Sequence, residues 1–154
     1  RFIGDRQSLS VKLQARMAAS EELTAANPGL MLQVAVSYGG RWDIVQAARK
    51  LAAEVASGAM RVDAIDERRF ADALELAGVP DPDLFIRTGG DHRISNFLLW
   101  NLAYTEIHVC ETLWPDFDVT HLEAALESFA ARERRYGLTR QQAEDKSREA
   151  ARSA

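Results

Sequence analysis

A chain of 154 residues that is 47% hydrophobic and 27% charged has the composition of an ordinary folded domain, which excludes a disordered or fibrous protein. Its 19 Lys plus Arg stand against 23 Asp plus Glu, a net charge of −4, so non-specific nucleic-acid binding is disfavoured and any basic site must be local. The single cysteine, Cys110, excludes an internal disulfide framework and a Cys-based zinc site and points to a reducing compartment, the cytoplasm; no stretch reaches the roughly 18 apolar residues of a membrane span, and no signal-peptide pattern opens the chain.

In chain order, Arg1-Phe2-Ile3-Gly4-Asp5 reads as a short apolar strand entering a Gly-Asp turn, so the chain reads as starting mid-fold. Leu9, Leu13, Met17 and Leu23 fall at helical spacing and predict an amphipathic helix over 9–26, stopped by Asn27-Pro28-Gly29. The run from Leu30 to Tyr38 is β-branched and nearly uncharged, which predicts a strand buried on both faces before Gly39-Gly40. A helix follows over 43–56 with Ile44, Val45, Ala48, Leu51, Ala52 and Val55 as its apolar stripe, and another over 66–76.

After the turn Gly78-Val79-Pro80-Asp81-Pro82, Asp83 to Arg87 predicts a strand running into Thr88-Gly89-Gly90. An apolar helix over 96–103, a strand over 105–110, a loop at Trp114-Pro115-Asp116-Phe117 and a helix over 120–135, with Leu122, Ala125, Leu126 and Phe129 inward and Gly137 as its cap, complete the pattern. Residues 138–154 read as a polar tail. Strands alternating with helices predict an α/β fold, an open parallel β-sheet flanked by helices, whose ligands bind outside the carboxyl ends of strands. The strand ends at Gly39-Gly40 and Gly89-Gly90 are therefore the places to look.

Two arginines, a glycine pair, a serine and an asparagine are compressed into the ten residues from Arg87 to Asn96. Gly89 and Gly90 would let backbone N–H groups approach an anion, Arg87 and Arg93 can fork onto phosphate oxygens, and Ser95 falls where a helix N-terminus would add its dipole. Each charge-assisted hydrogen bond contributes ~1.5–3 kcal/mol, enough for such a set to hold a diphosphate. The same composition also reads as a glycine turn whose arginines pair with Asp83 and Asp91. Glu106 opens the next strand, and a hard carboxylate beside a diphosphate suits Mg²⁺; it reads equally as a strand-edge surface residue. His92 is a plausible phosphate neighbour or a hydrogen-bonding loop residue, and His108 and His121 belong to no constellation. Neither G-x-G-x-x-G nor a P-loop nor a G-x-S-x-G elbow occurs, and Cys110 stands inside an apolar strand, so nucleophilic catalysis is unsupported.

On Arg1 to Asp5, on Ser37 to Ile44, on Asp83 to Trp100, on Tyr104-Thr105-Glu106 and on Leu113 to Phe117, the chain resembles the cis-prenyltransferase family, bacterial undecaprenyl diphosphate synthases above all, from about Phe2 to Gly137. The resemblance implies a Mg²⁺-dependent enzyme that adds isopentenyl diphosphate to farnesyl diphosphate with cis double bonds, giving undecaprenyl diphosphate, a lipid-carrier precursor for cell-wall synthesis. It implies that Arg87, Arg93 and Ser95, with Gly89 and Gly90, hold isopentenyl diphosphate, that Glu106 helps bind Mg²⁺, and that Trp42 walls the site, although an aromatic beside a glycine turn also reads as simply packed. Asp91 stands where the family usually has glutamate, one methylene longer.

The resemblance also implies a homodimer in which Arg135-Tyr136-Gly137 reaches the partner's substrate, and a cytoplasmic enzyme with peripheral contact at the inner face of the membrane. The family's H-x-M-D-G-N-G-R-W-A segment, which holds the allylic diphosphate, has no counterpart here. Residues 1–137 are therefore expected to be the C-terminal part of one domain, inactive alone, with Leu30 and Val34 facing the far end of a hydrocarbon tunnel. Two other readings are a non-catalytic partner subunit of a heteromeric enzyme, in which site motifs decay, and a generic phosphate-binding α/β module.

Overall fold

The fold is that of a computed structural model, which describes residues 1–132. The elements in order are β1 (Phe2–Ile3), α1 (Val11–Thr24), β2 (Val34–Ala35), α2 (Gly40–Ala56), α3 (Glu67–Ala71), β3 (Leu84–Thr88), β4 (Glu106–Cys110) and α4 (Val119–Ala130). The described residues divide into two compact units, Arg1–Asp81 with Ile94–Ala103, and Pro82–Arg93 with residues 104–132.

In the first unit β1 and β2 pair in parallel, Phe2 opposite Val34 and Ile3 opposite Ala35. The ladder is extended by Arg1, whose amino group donates to Leu32 O and whose carbonyl accepts from Val34 N. Side chains dock α1 onto this pair. Glu21 accepts from Phe2 N at 2.6 Å and from Arg6 Nη1 at 2.9 Å, while Arg6 Nη2 donates to Phe2 O at 2.7 Å. The Arg6 guanidinium, and after it the Phe2 amide, hold the Glu21 carboxyl below its ordinary range. Ser10 caps α1 by accepting from Leu13 N.

The predicted strand from Leu30 to Tyr38 shrinks to two residues, and it is not buried on both faces: Leu30 is 93% exposed, and Met31 and Leu32 are exposed too. Among the described residues β2 has only β1 beside it, and of the rest of the run only Gln33, Val36 and Tyr38 are half-buried. In α1 only Met17 is buried; Leu13 and Leu23 are exposed. Helix α2 starts three residues earlier than the sequence suggests and matches the predicted stripe in part: Leu51 is buried and Ile44 and Val55 half-buried as expected, but Gly40, Asp43 and Ala47 take the other buried positions and Val45, Ala48 and Ala52 are exposed. Asp43 takes a core position because its oxygens are occupied: Oδ2 accepts from Tyr38 OH at 2.8 Å and Oδ1 from Glu75 N at 3.0 Å. Burial, and then this hydrogen bond, push the Tyr38 phenol well above its usual value. The helix predicted over 66–76 is regular only as α3 and continues as turns.

The helix expected over 96–103 does not form. Ser95, Asn96 and Leu98 have φ of 46°, 64° and 43°, and the segment runs as turns. Its physical reason lies at the start of α2, whose N-cap Gly39 has no side chain to offer. Asn96 supplies the missing acceptors, its carbonyl to Gly40 N at 2.6 Å and its Oδ1 to Arg41 N at 2.9 Å. Leu98 and Leu102 of the same segment are buried, Phe97 meets Tyr38 edge-on at 5.9 Å, and Trp100 lies 4.7 Å from Phe70.

In the second unit β3 and β4 pair in parallel along five residues, Leu84 opposite Glu106 through Thr88 opposite Cys110. Helix α4 begins with a capping box in which Asp118 accepts from His121 N and the His121 ring accepts from Asp118 N. Ala125 is its buried residue and Phe129 is half-buried, whereas Leu122 and Leu126, expected inward, are exposed. The α/β character and the parallel pairing are as the sequence predicts, with the pairing laid out as two two-stranded ladders among the described residues. The expected end of the last helix, its Gly137 cap, Arg135-Tyr136-Gly137 and the tail over 138–154 lie outside the described residues.

Candidate anion-binding site

Strand β3 ends at Thr88, and the chain then turns through Gly89 and Gly90 with φ of 83° and 75°, a left-handed pair open to glycine and costly for other residues. The turn carries Asp91 and Arg93 back to Arg87. Asp91 Oδ2 accepts from Arg87 Nη2 at 2.9 Å and from Arg93 Nη2 at 2.6 Å, so two guanidinium groups converge on one oxygen atom. Arg87 Nη1 also donates to the carbonyl of Arg93 at 2.5 Å. The Arg87 side chain is only 19% exposed and that of Arg93 68%, so one arginine is seated and the other reaches into solvent.

The glycines act otherwise than expected. Gly89 N donates to Thr112 O at 2.9 Å and Gly90 N to Cys110 O at 3.0 Å, so both N–H groups continue the β3–β4 pairing and neither faces an anion. Their contribution is the turn itself. Ser95 does not open a helix, because the residues from 95 onward are turns with left-handed φ, so no helix dipole adds to it. Trp42 sits on the first turn of α2, half-buried and edge-on to Tyr38 at 6.4 Å, the geometry of a packed aromatic. His92 is exposed. Asn96, which the sequence places in the anion-binding composition, instead completes α2; the signal for that role was a helix start at Gly39-Gly40 with no capping side chain of its own.

Glu106 opens β4 half-buried, and its Oε2 accepts from Arg132 Nη1 at 2.7 Å while the same nitrogen reaches Ile107 O at 3.1 Å. Among the described residues no group of three or more His, Cys, Asp and Glu side chains could enclose a metal ion. Mg²⁺ does not need such a cage, since one or two carboxylates suffice when phosphate oxygens and water complete the octahedron; Glu106 has that donor chemistry, but the register sets it opposite Leu84, at the start of the ladder and away from the turn that carries the arginine pair. In the first unit, an open groove of about 760 Å³ is lined by Leu30, Met31, Leu32 and Val34, with Arg6 and Glu21 also on its wall. It brings together the two residues, Leu30 and Val34, expected at a hydrocarbon tunnel. Among the described residues no helix is long and apolar enough to cross a membrane.

Parallel α/β pairing carries an arginine pair at the carboxyl end of a strand, and the chain belongs to the prenyltransferase family: residues 1–137 match the family described as "Putative undecaprenyl diphosphate synthase". Among curated relatives, the ditrans,polycis-undecaprenyl-diphosphate synthase ((2E,6E)-farnesyl-diphosphate specific) of Xanthomonas campestris is 57% identical over 150 residues, 97% of this chain and 58% of the relative. The enzyme of the same name from Salmonella paratyphi A is 52% identical over 139 residues, 90% of this chain and 55% of the relative. The chain thus spans somewhat over half the length of these relatives.

Of solved structures, lavandulyl diphosphate synthase from Lavandula x intermedia, in complex with dimethylallyl diphosphate, superposes with a TM-score of 0.85 at 45% identity, covering 88% of this chain and 58% of that one. A probable undecaprenyl diphosphate synthase from Campylobacter jejuni gives a TM-score of 0.76 at 34% identity, with 89% of this chain and 62% of that one covered.

Proposed function

We propose that this chain carries the isopentenyl diphosphate seat of a cis-prenyltransferase that extends farnesyl diphosphate to undecaprenyl diphosphate. The observation that carries the reading is the convergence of Arg87 and Arg93 on a single oxygen atom, since the same donors can converge on phosphate oxygens. Ser95, two residues beyond Arg93, joins the seat by resemblance. Such a condensation needs no protein nucleophile: the allylic diphosphate ionises, the alkene of isopentenyl diphosphate forms the new C–C bond to the cation, and a proton is lost. The protein's work is to hold the diphosphates in register and to balance their charge. Glu106 would hold Mg²⁺, which when bound supplies further neutralisation of diphosphate charge. Leu30 and Val34 are assigned to the wall along which the hydrocarbon lies, and the long apolar product makes contact with a membrane surface part of this reading. A homodimer in which Arg135-Tyr136-Gly137 approaches the partner's substrate belongs to it as well.

Calorimetric titration of isopentenyl diphosphate into the chain tests the seat. Saturable binding is expected, weakened about tenfold or more by Arg87→Ala and by Arg93→Ala, as loss of a charge-assisted contact worth ~1.5–3 kcal/mol requires. Absence of binding, or binding untouched by both substitutions, refutes the proposal.

A further inference from the structure

The turn after β3 contains a third charged side chain whose position is harder to explain as surface decoration. Asp91 puts one oxygen, Oδ2, between the Nη2 atoms of Arg87 and Arg93 at 2.9 and 2.6 Å. Two guanidinium groups drawn this close repel one another unless a negative charge lies between them. The two arginines are not equally secured. Arg87 is mostly buried and has a second donor bond, to the carbonyl of Arg93, whereas the only hydrogen bond of the Arg93 side chain among the described residues is the one to Asp91. A solvent-facing arginine without that partner regains several free torsions, and an anion must then order it at its own cost.

We propose that Asp91 is a positioning residue: its carboxylate holds the Arg93 guanidinium beside that of Arg87, so that the pair meets a diphosphate already assembled. This rests on the seat described above and adds to it the group that preorganises it. Asp91 does this from a loop because the left-handed turn at Gly89 and Gly90 folds the chain back, bringing residue 91 over the side chain of residue 87 outside any helix. The longer glutamate carries the same charge and can reach the same two nitrogens with a small shift of the loop.

Inorganic diphosphate is the probe, titrated into the 154-residue chain and its variants. Asp91→Asn is expected to weaken binding about tenfold, and Asp91→Glu to stay within about threefold of the parent. The decisive arm is a double-mutant cycle: in an Arg93→Ala background, Asp91→Asn should change affinity by less than about twofold, because its effect passes through Arg93. A general loosening of the fold would cost the same in both backgrounds and would overturn the proposal. So would an Asp91→Asn variant that binds as tightly as the parent or more tightly while Arg87→Ala and Arg93→Ala weaken binding; that result leaves the seat standing and removes the clasp. A parent chain that does not bind diphosphate overturns both. Side-chain NMR of Arg93 Nε without ligand gives an independent reading, with an ordered signal in the parent and a mobile one in Asp91→Asn; equal mobility in the two refutes the clasp. If Asp91→Asn fails to fold, Asp91→Ser is carried through the same cycle.

Discussion

Replacing Gly40 by alanine tests the contact on which the first unit's arrangement around α2 depends. A Cβ at Gly40 would lie 2.7 Å from Leu99 Cγ and 2.8 Å from Leu99 N. The side-chain atom can swing aside, but the backbone nitrogen moves only if the 94–103 segment moves, and that segment delivers Asn96 O to Gly40 N at 2.6 Å. Overpacking of this kind costs about 1–3 kcal/mol, offset by less than about 1 kcal/mol of improved helix propensity. At roughly 2–4 °C per kcal/mol for a chain of this size, a net loss of up to about 3 kcal/mol means that Gly40→Ala should melt lower than the parent, by up to about 12 °C, in circular dichroism.

Gly58→Ala serves as the contrast, because nothing lies within 4 Å of its Cβ and its φ of +74° charges only the backbone. Its loss of about 1–2 kcal/mol should add independently to that of Leu99→Ala. Gly40→Ala and Leu99→Ala should instead combine to less than their sum by at least about 0.5 kcal/mol. A Gly40→Ala chain as stable as the parent, or one additive with Leu99→Ala, refutes the close approach.

Two further substitutions probe the same unit. Tyr38→Phe removes the donor to Asp43 Oδ2, a carboxylate only 2% exposed, and should cost about 1–3 kcal/mol in a urea melt at neutral pH. Because the Tyr38 phenol is raised in the folded state, its contribution is fully present below the ordinary value near 10 and is lost as pH climbs through the folded value. Ultraviolet titration should accordingly show a late-ionising phenol in the parent that is lost in Tyr38→Phe; a titration curve whose late phase survives the substitution would contradict this. On α2, Leu51→Ala should cost about 2–5 kcal/mol and Val45→Ala no more than about 0.5 kcal/mol, since Leu51 faces the core and Val45 does not. Equal losses would mean that the buried face has been misassigned.

The positions of β3, β4, α2 and α4 are legible in the sequence because glycine and proline punctuate them and each apolar run has one length and one period. The buried faces are less so. In α2, alanines fall on every side, and hydrophobicity alone favours Val45, Ala48 and Ala52; the core instead takes Asp43, whose hydrogen bonds to Tyr38 and Glu75 come from other parts of the chain. The segment over 96–103 carries a helical apolar pattern, yet the unmet N–H groups at the start of α2 claim Asn96 and force left-handed backbone around it. At the candidate site, the arginines and the acidic residue after the glycine pair were legible as composition. That one oxygen of Asp91 would serve both arginines depends on the direction of the turn, and that Gly89 and Gly90 would have no free N–H depends on the register of β3 against β4. Neither is a local property of the sequence.

The parallel pairing of both ladders also dictates when they can form. Phe2 meets Val34 and Leu84 meets Glu106, so each pairing closes a loop of more than twenty residues before its first strand contact is made. No hairpin can nucleate either ladder, whereas α1, α2 and α4 can gain their first turns locally. Helix formation should precede strand pairing, and the slow step of folding should be the docking that closes β3 onto β4. The arginine pair, set by the turn that leaves β3 and by that turn's bonds to Cys110 O at the end of β4 and to Thr112 O just beyond it, is then among the last features of the described residues to form.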